Sequence, residues 1–378
     1  MLLILQRTVL FFLLIIFFQT TLFAQRQDPN FFTKKDSAKA SYKNTMLVFP
    51  LVGLSTETSF VFGVANAFIF KTAKSDSVLR VSTIPSGFLY TLNNQILIGL
   101  GANIFLPKEK YIIRFENSFS KFPDKFWGMG NNTDSRTSES YTFTQFYINP
   151  QLYRKVYRDL FLGAGVDFQR VFNIEYVAGG YFDQDKVLGV FDRSSYGVFG
   201  YSFFVNYDSR PHAYVPDRGA LFRIRFSNFD KGLGGDYDFR TLEFDIRKFI
   251  KITRHGVLAI QSFSTFNFGN VPYRNLAILG GNSMMRGYFA GRFRDQKFSG
   301  LQAEYRFPVK GRFGGVAFAS VGQVANRFDD FGLQKLKPAI GTGVRFAVVR
   351  REKLNLRFDV ATGLGGSLNY YIVLAESF

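Results

Sequence analysis

The chain has 378 residues, no cysteine, only two histidines and a formal net charge of +18. The absence of cysteine excludes a disulfide scaffold, a thiolate metal site and a lipoprotein's modified cysteine. No window of eighteen consecutive apolar residues follows the N-terminal region, which excludes helical membrane spans.

In chain order, the first element is an apolar run from Val9 to Phe18. Arg7 is the only charge before it, and Leu22-Phe23-Ala24 follows as a cleavage point before Gln25. The run is too short to cross a bilayer core as a helix, so residues 1–24 read as a removed secretory signal rather than a retained anchor. A basic chain usually suggests nucleic acid or an anionic surface. Secretion argues against nucleic acid and favours an anionic membrane face. Residues 25–44 are mostly polar and too few to form a packed domain; they read as a flexible periplasmic segment.

From residue 45 the pattern has period two. Leu160, Leu162, Ala164, Val166 and Phe168 share one face, against Phe161, Gly163, Gly165 and Asp167. Leu301, Ala303, Tyr305 and Phe307 alternate with Gln302, Glu304 and Arg306, and Leu354, Leu356, Phe358 and Val360 with Asn355, Arg357 and Asp359. Sixteen such segments begin near residues 45, 59, 78, 95, 109, 140, 160, 195, 219, 236, 257, 297, 313, 338, 354 and 367. Many are long enough for a tilted bilayer crossing.

Even-numbered connections are mostly short and polar, as at 157–159, 254–256, 310–312 and 351–353. Several odd-numbered ones are long, at 120–139, 176–193, 269–296 and 323–337. Short turns on one rim and long loops on the other predict an all-β fold, a sixteen-stranded antiparallel transmembrane barrel over residues 45–378 in the bacterial outer membrane. A secreted β-sandwich would need an apolar interior, where this pattern sets Arg, Asp, Glu and Gln against aromatics. Tyr370, Ile372, Leu374 and Phe378 fall on one face of the last strand, and a terminal aromatic there is similar to the recognition signal of outer-membrane barrels.

The long connection between the eleventh and twelfth strands contains GGNSMMRGYFAGRFRD, residues 280–295. Met285-Arg286-Gly287-Tyr288 resembles the V-R-G-Y/F signature in the sixth extracellular loop of the BamA/TamA superfamily of outer-membrane assembly and secretion barrels. The stretch from Gln302 to Pro308 resembles that family's next strand. Asp208-Ser209-Arg210 with Pro216-Asp217-Arg218-Gly219 resembles its D-x-R…P-x-R-G turn, and Gly343-Val344-Arg345-Phe346 its G-x-R-F strand. Phe126 to Asn131 is a looser match in the third loop.

The resemblance implies a sixth loop folded back into the lumen, with its arginine on acidic residues of the wall. Gly280, Gly281 and Gly287 suit the sharp turns required, and Arg286 carries the planar donor fork that suits a carboxylate. Strand parity points Glu304 inward as its partner. The family's second acid lies in an F-x-D-x-G strand motif, which here reads Phe318-Ala319-Ser320-Val321-Gly322. Serine at the acidic position leaves Arg286 with one expected carboxylate, Ser320 offering at most a neutral hydrogen bond; the plain alternative is an arginine solvating an exposed loop. The family's periplasmic POTRA domains have no counterpart in residues 25–44, which implies a short form whose substrate delivery would fall to another protein.

Covalent chemistry is not expected. His212 and His255 fall in separate even-numbered turns without ligand partners, so neither a metal site nor a serine hydrolase can be assembled from them, and no cofactor is implied. Gly363-Leu364-Gly365-Gly366 is a barrel turn. Inward Arg114, Glu116, Arg223, Arg225, Glu243, Asp245, Arg247, Arg345, Arg357 and Asp359 read as a solvated ion network. The resemblance therefore implies a non-enzymatic role in outer-membrane biogenesis, with outer-membrane lipid and separately encoded periplasmic or outer-membrane proteins as partners. Two alternatives remain open: an anion-favouring pore, and a structural membrane subunit.

Overall fold

The computed structural model describes residues 44–378 except 75, 77, 78, 135, 186–190, 212–214, 254, 255, 350–353 and 375. The signal segment, residues 25–43, both histidines and the 351–353 turn lie outside the described residues. The strands are β1 Thr45–Ser55, β2 Ser59–Phe70, β3 Ser82–Thr91, β4 Ile96–Phe105, β5 Tyr111–Phe126 and β6 Glu139–Tyr157. They continue with β7 Leu160–Glu175, β8 Tyr196–Asp208, β9 Gly219–Phe229, β10 Phe239–Lys251, β11 Val257–Gly269, β12 Ala277–Leu279 and β13 Phe293–Asp295. The last are β14 Lys297–Lys310, β15 Phe313–Ala325, β16 Lys337–Val349, β17 Leu354–Gly363 and β18 Leu368–Leu374.

Sixteen of them form one closed antiparallel barrel in chain order. β11 pairs with β14, and β18 returns to β1. The starts agree with the two-residue alternation, the largest difference being at β3, expected near residue 78 and beginning at Ser82. Alternation also sets the two faces. In β14, Gln302, Glu304 and Arg306 are buried towards the interior, while Leu301 and Phe307 stand exposed on the outside. The polar interior and apolar exterior invert a soluble core, as a lipid solvent requires.

Two features depart from the sequence expectation. β5 and β6 run on past the expected loop start and pair up to Phe126↔Glu139, leaving a loop of only 127–138. Their extra length is held by an aromatic cluster at the long-loop end, in which Phe126, Tyr141 and Phe143 pack with Phe182, Tyr196 and Tyr273. The second is a small hairpin of β12 and β13 inside the 270–296 connection, paired from Ala277↔Asp295 to Leu279↔Phe293. Three residues per strand are too few to show a period. Between this hairpin and the β6–β11 wall lies a cavity of about 410 Å³, lined by Tyr147, Asp167, Arg225, Thr241, Glu243 and Met284.

Candidate functional site

Residues 280–295 lie against the inner wall. Gly280 and Gly281 have φ values of +109° and +117°, which reverse the chain and let Gly281 N donate to Tyr288 O at 3.0 Å. Met285 is fully buried with φ +58°. Room for it comes from Gly322, where an added Cβ would sit 3.2 Å from the Met285 sulfur. This turn presents Arg286 to the wall with only 1% of its surface exposed.

Arg286 Nη2 donates to Glu304 Oε2 at 2.5 Å and Nη1 to Asp359 Oδ2 at 2.6 Å. Its guanidinium lies 3.5 Å from the centre of the Phe318 ring. Glu304 Oε1 accepts from Arg306 at 2.7 Å. Asp359 also accepts from Arg345 at 2.5 Å and Arg357 at 3.1 Å. Arg345 Nε reaches Glu376 at 2.7 Å. Four guanidiniums thus meet three side-chain carboxylates in a space closed to bulk water, where charge-assisted bonds are strong and unpaired charge is costly.

Further hydrogen bonds fix the backbone on either side. Asn369 Nδ2 donates to Gly287 O at 2.8 Å, Gly287 N donates to the Tyr371 hydroxyl at 3.2 Å, and Arg357 Nη2 reaches Asn282 O at 2.6 Å. The Tyr288 hydroxyl donates to Pro338 O and accepts from Leu364 N, both at 2.8 Å. Further along, Arg294 Nη2 donates to Asp124 Oδ2 on β5 at 2.8 Å, and Arg292 holds Thr133. Trp127 packs edge-on to Phe289, with ring centres 5.2 Å apart. Burial pushes the Tyr273 phenol beneath Arg294 up to about 12, so it serves there as a neutral hydroxyl.

Gly287 lies close against the main chain of the wall. Its φ is +110°, and a Cβ there would stand 2.8 Å from the Thr362 carbonyl carbon. Gly287→Ala should therefore cost about 2–5 kcal/mol, combining backbone strain with overpacking against main chain. Trypsin cleavage at Arg292 and Arg294, read alongside the barrel's unfolding temperature on gels, measures this. Wild-type resistance in the variant would mean that the loop accommodates the methyl elsewhere.

A family model described as the Omp85 superfamily domain matches residues 97–365. The chain belongs to the Omp85 superfamily. Among solved structures it resembles BamA from Haemophilus ducreyi lacking POTRA domains 1-3, with TM-score 0.60 and 13% identity over 88% of this chain and 70% of that one. It also resembles CdiB from Acinetobacter baumannii, with TM-score 0.58 and 12% identity over 88% of this chain and 59% of that one. For CdiB from Escherichia coli the TM-score is 0.59 at 12% identity, over 90% of this chain and 64% of that one. This chain thus spans less than two thirds of either CdiB. A search of curated proteins finds no match. As an Omp85 barrel the protein is placed in the bacterial outer membrane.

Within this Omp85 barrel, Glu304 stands where strand parity put it, but Arg286 has two carboxylates, not one. The second is Asp359 on β17, and Ser320 makes no hydrogen bond through its buried hydroxyl among the described residues. Phe318 stacks on the guanidinium and Gly322 makes room for Met285, so the flanks of the F-x-S-x-G strand contact the loop while the acid comes from two strands away. The solvated ion network expected here is instead buried around Arg345, Arg357 and Asp359.

Phe378 also departs from expectation. β18 ends at Leu374, with Tyr370 on the outer face, whereas Phe378 is buried against Phe249 and Ala259 and its main-chain oxygen accepts from Arg306 at 3.0 Å. Glu376 draws the chain inward by bonding Arg345 and Asn355. The turn motif is separate from this centre. Arg210 grips Asp208 at 2.8 and 2.9 Å, Pro216 is buried, Arg218 is exposed, and Gly219 has φ +95° beside Ser209 O. Alternation already marked Asp359, Arg345 and Arg357 as inward; only the descent of the loop shows which of them it meets.

Proposed function

We propose that this barrel acts in outer-membrane biogenesis, passing protein or lipid into or across the membrane at the junction of β1 and β18, without covalent chemistry. The supporting observation is the junction itself. β1 pairs with β2 at every position from Thr45 to Ser55, but with β18 only at Leu54↔Ile372 and Ser55↔Tyr371. From Thr45 to Gly53, β1 has no register partner on its β18 side among the described residues, and Pro50 has no N–H to offer. Few hydrogen bonds break when such a junction parts, whereas any other pair of neighbours would expose a full ladder of polar groups to lipid. The Arg286 network holds the loop on the wall beside this junction, since Asp359 sits on β17 and Tyr371 on β18. Outer-membrane lipid and separately encoded periplasmic or outer-membrane proteins are the partners this role requires.

A covalent clamp tests the reading. The chain has no cysteine, so Leu54→Cys with Ile372→Cys places the only two thiols across the junction. Cells that depend on this chain should lose normal outer-membrane protein and lipid content when the pair is oxidised and recover it on reduction, with barrel assembly unchanged. Full support from the oxidised form would exclude opening at this junction and favour a pore or a structural subunit.

A further inference from the structure

The chain's positive charge is concentrated at one end of the barrel. Counted along the sequence, the connections at 71–81, 106–110, 158–159, 209–218, 252–256, 311–312 and 350–353 carry thirteen Lys and Arg against five Asp and Glu. The connections of the opposite rim carry ten against eleven. The first rim has the shorter turns, which places it on the periplasmic side. Glu109 pairs with Arg80, and Asp208 at the end of β8 pairs with Arg210, each at 2.8 Å, which leaves eleven of the thirteen cations outside these two pairs. Lys110, Arg158, Lys310 and Arg312 are exposed and make no ion pair among the described residues.

Two further cations stand on the lipid-facing wall near this rim. Arg154 projects between exposed Leu152 and Val156 of β6, and Lys248 between exposed Ile246 and Ile250 of β10. Each lies three residues from the short-turn end of its strand, Tyr157 and Lys251 respectively. Neither has a carboxylate partner among the described residues; near the other rim Arg170 has Asp236 at 3.6 Å, while Lys121 and Arg240 stand outward without one. A charge at such a position cannot rest in hydrocarbon, and a long stem lets it reach the headgroup layer. Outward Tyr157, Tyr207, Phe307 and Phe313 mark that layer at the same rim. A soluble acidic protein approaching the barrel mouth cannot reach side chains on the outer wall; a lipid headgroup can.

We propose that this rim binds the phosphate headgroups of anionic phospholipid in the periplasmic leaflet, Arg154 and Lys248 from the wall, Lys310 from the end of β14, and Lys110, Arg158 and Arg312 from the turns. The test uses the full barrel in nanodiscs of equal phosphatidylglycerol and phosphatidylcholine, with mass spectrometry of the lipid retained after mild detergent extraction. Wild type should retain phosphatidylglycerol at about two-fold or more over the bulk ratio, declining as salt rises. Arg154→Gln/Lys248→Gln/Lys310→Gln/Arg312→Gln should retain the bulk ratio. Arg136→Gln/Lys231→Gln/Arg327→Gln/Lys335→Gln, on the opposite rim, should behave as wild type. Heat-modifiable migration verifies folding, and Arg154→Gln/Lys248→Gln alone serves if the larger variant fails to fold. Undiminished enrichment in the folded rim variant would overturn the proposal. So would complete displacement of the lipid by inorganic phosphate, or capture of an acidic periplasmic protein without any lipid enrichment.

Discussion

Glu304→Ala and Asp359→Ala should each destabilise the barrel more than Arg286→Ala. The partners that each substitution leaves behind decide the order. Arg286, Arg306, Arg345 and Arg357 surround Glu304, Asp359 and Glu376, all of them buried. Removing Arg286 leaves Glu304 with Arg306 and Arg345, and Asp359 with Arg345 and Arg357, so the loss is a stacking contact, two hydrogen bonds and a cavity. Removing Asp359 leaves Arg357 with no carboxylate among the described residues, and removing Glu304 leaves Arg306 with Glu376 only at 4.0 Å. Breaking a buried pair costs about 3–5 kcal/mol; Arg286→Ala belongs at the lower end and the carboxylate variants at the upper end or beyond. Ser320→Asp should restore part of the loss in Asp359→Ala, because it returns a negative charge on the inward face of β15, where Phe318 already touches Arg286. Urea unfolding in lipid vesicles ranks the four proteins. An Arg286→Ala loss exceeding both carboxylate losses would show that the loop is held by packing rather than by charge balance.

The second large effect is on conductance. A sixteen-stranded barrel is wide enough to hold a water-filled channel, yet here residues 280–295 and their wall partners occupy the interior beside β14 to β18. The intact protein in planar bilayers should therefore give small, irregular currents. Deleting residues 282–294 removes Arg286 and the whole turn, and large discrete steps should appear. Arg286→Ala should fall between the two, because Tyr288, Asn369 and Arg294 still hold part of the segment. Steady, large, anion-selective steps from the intact protein would instead mean that the lumen is open and that the pore reading describes this chain.

Much of this architecture is legible from alternation, because a barrel wall in lipid must place polar and apolar residues on opposite faces of every strand. The same parity turned Glu304 inward. Contacts that depend on three-dimensional placement were beyond that logic. Asp359 lies on β17 and meets Arg286 only because the loop descends between β14 and β17, a path no local pattern records. Ser320 drew attention because it occupies an acid's position in a familiar strand motif, while the acid that serves stands elsewhere. Phe378 continued the apolar spacing of β18, but Glu376 is claimed by Arg345, and that ionic contact outweighs keeping the strand straight. The short β12–β13 hairpin left no periodic trace at all.

The loop's attachment rests on the contact between Arg286 and Asp359, and a double-mutant cycle with Arg286→Ala and Asp359→Ala, measured by urea unfolding in vesicles, tests it most directly. Removing the arginine relieves the excess positive charge that loss of the carboxylate creates, so the double variant should cost less than the sum of the singles by about 1–3 kcal/mol. Strict additivity would show that the two residues share no contact in the folded barrel and would contradict the account.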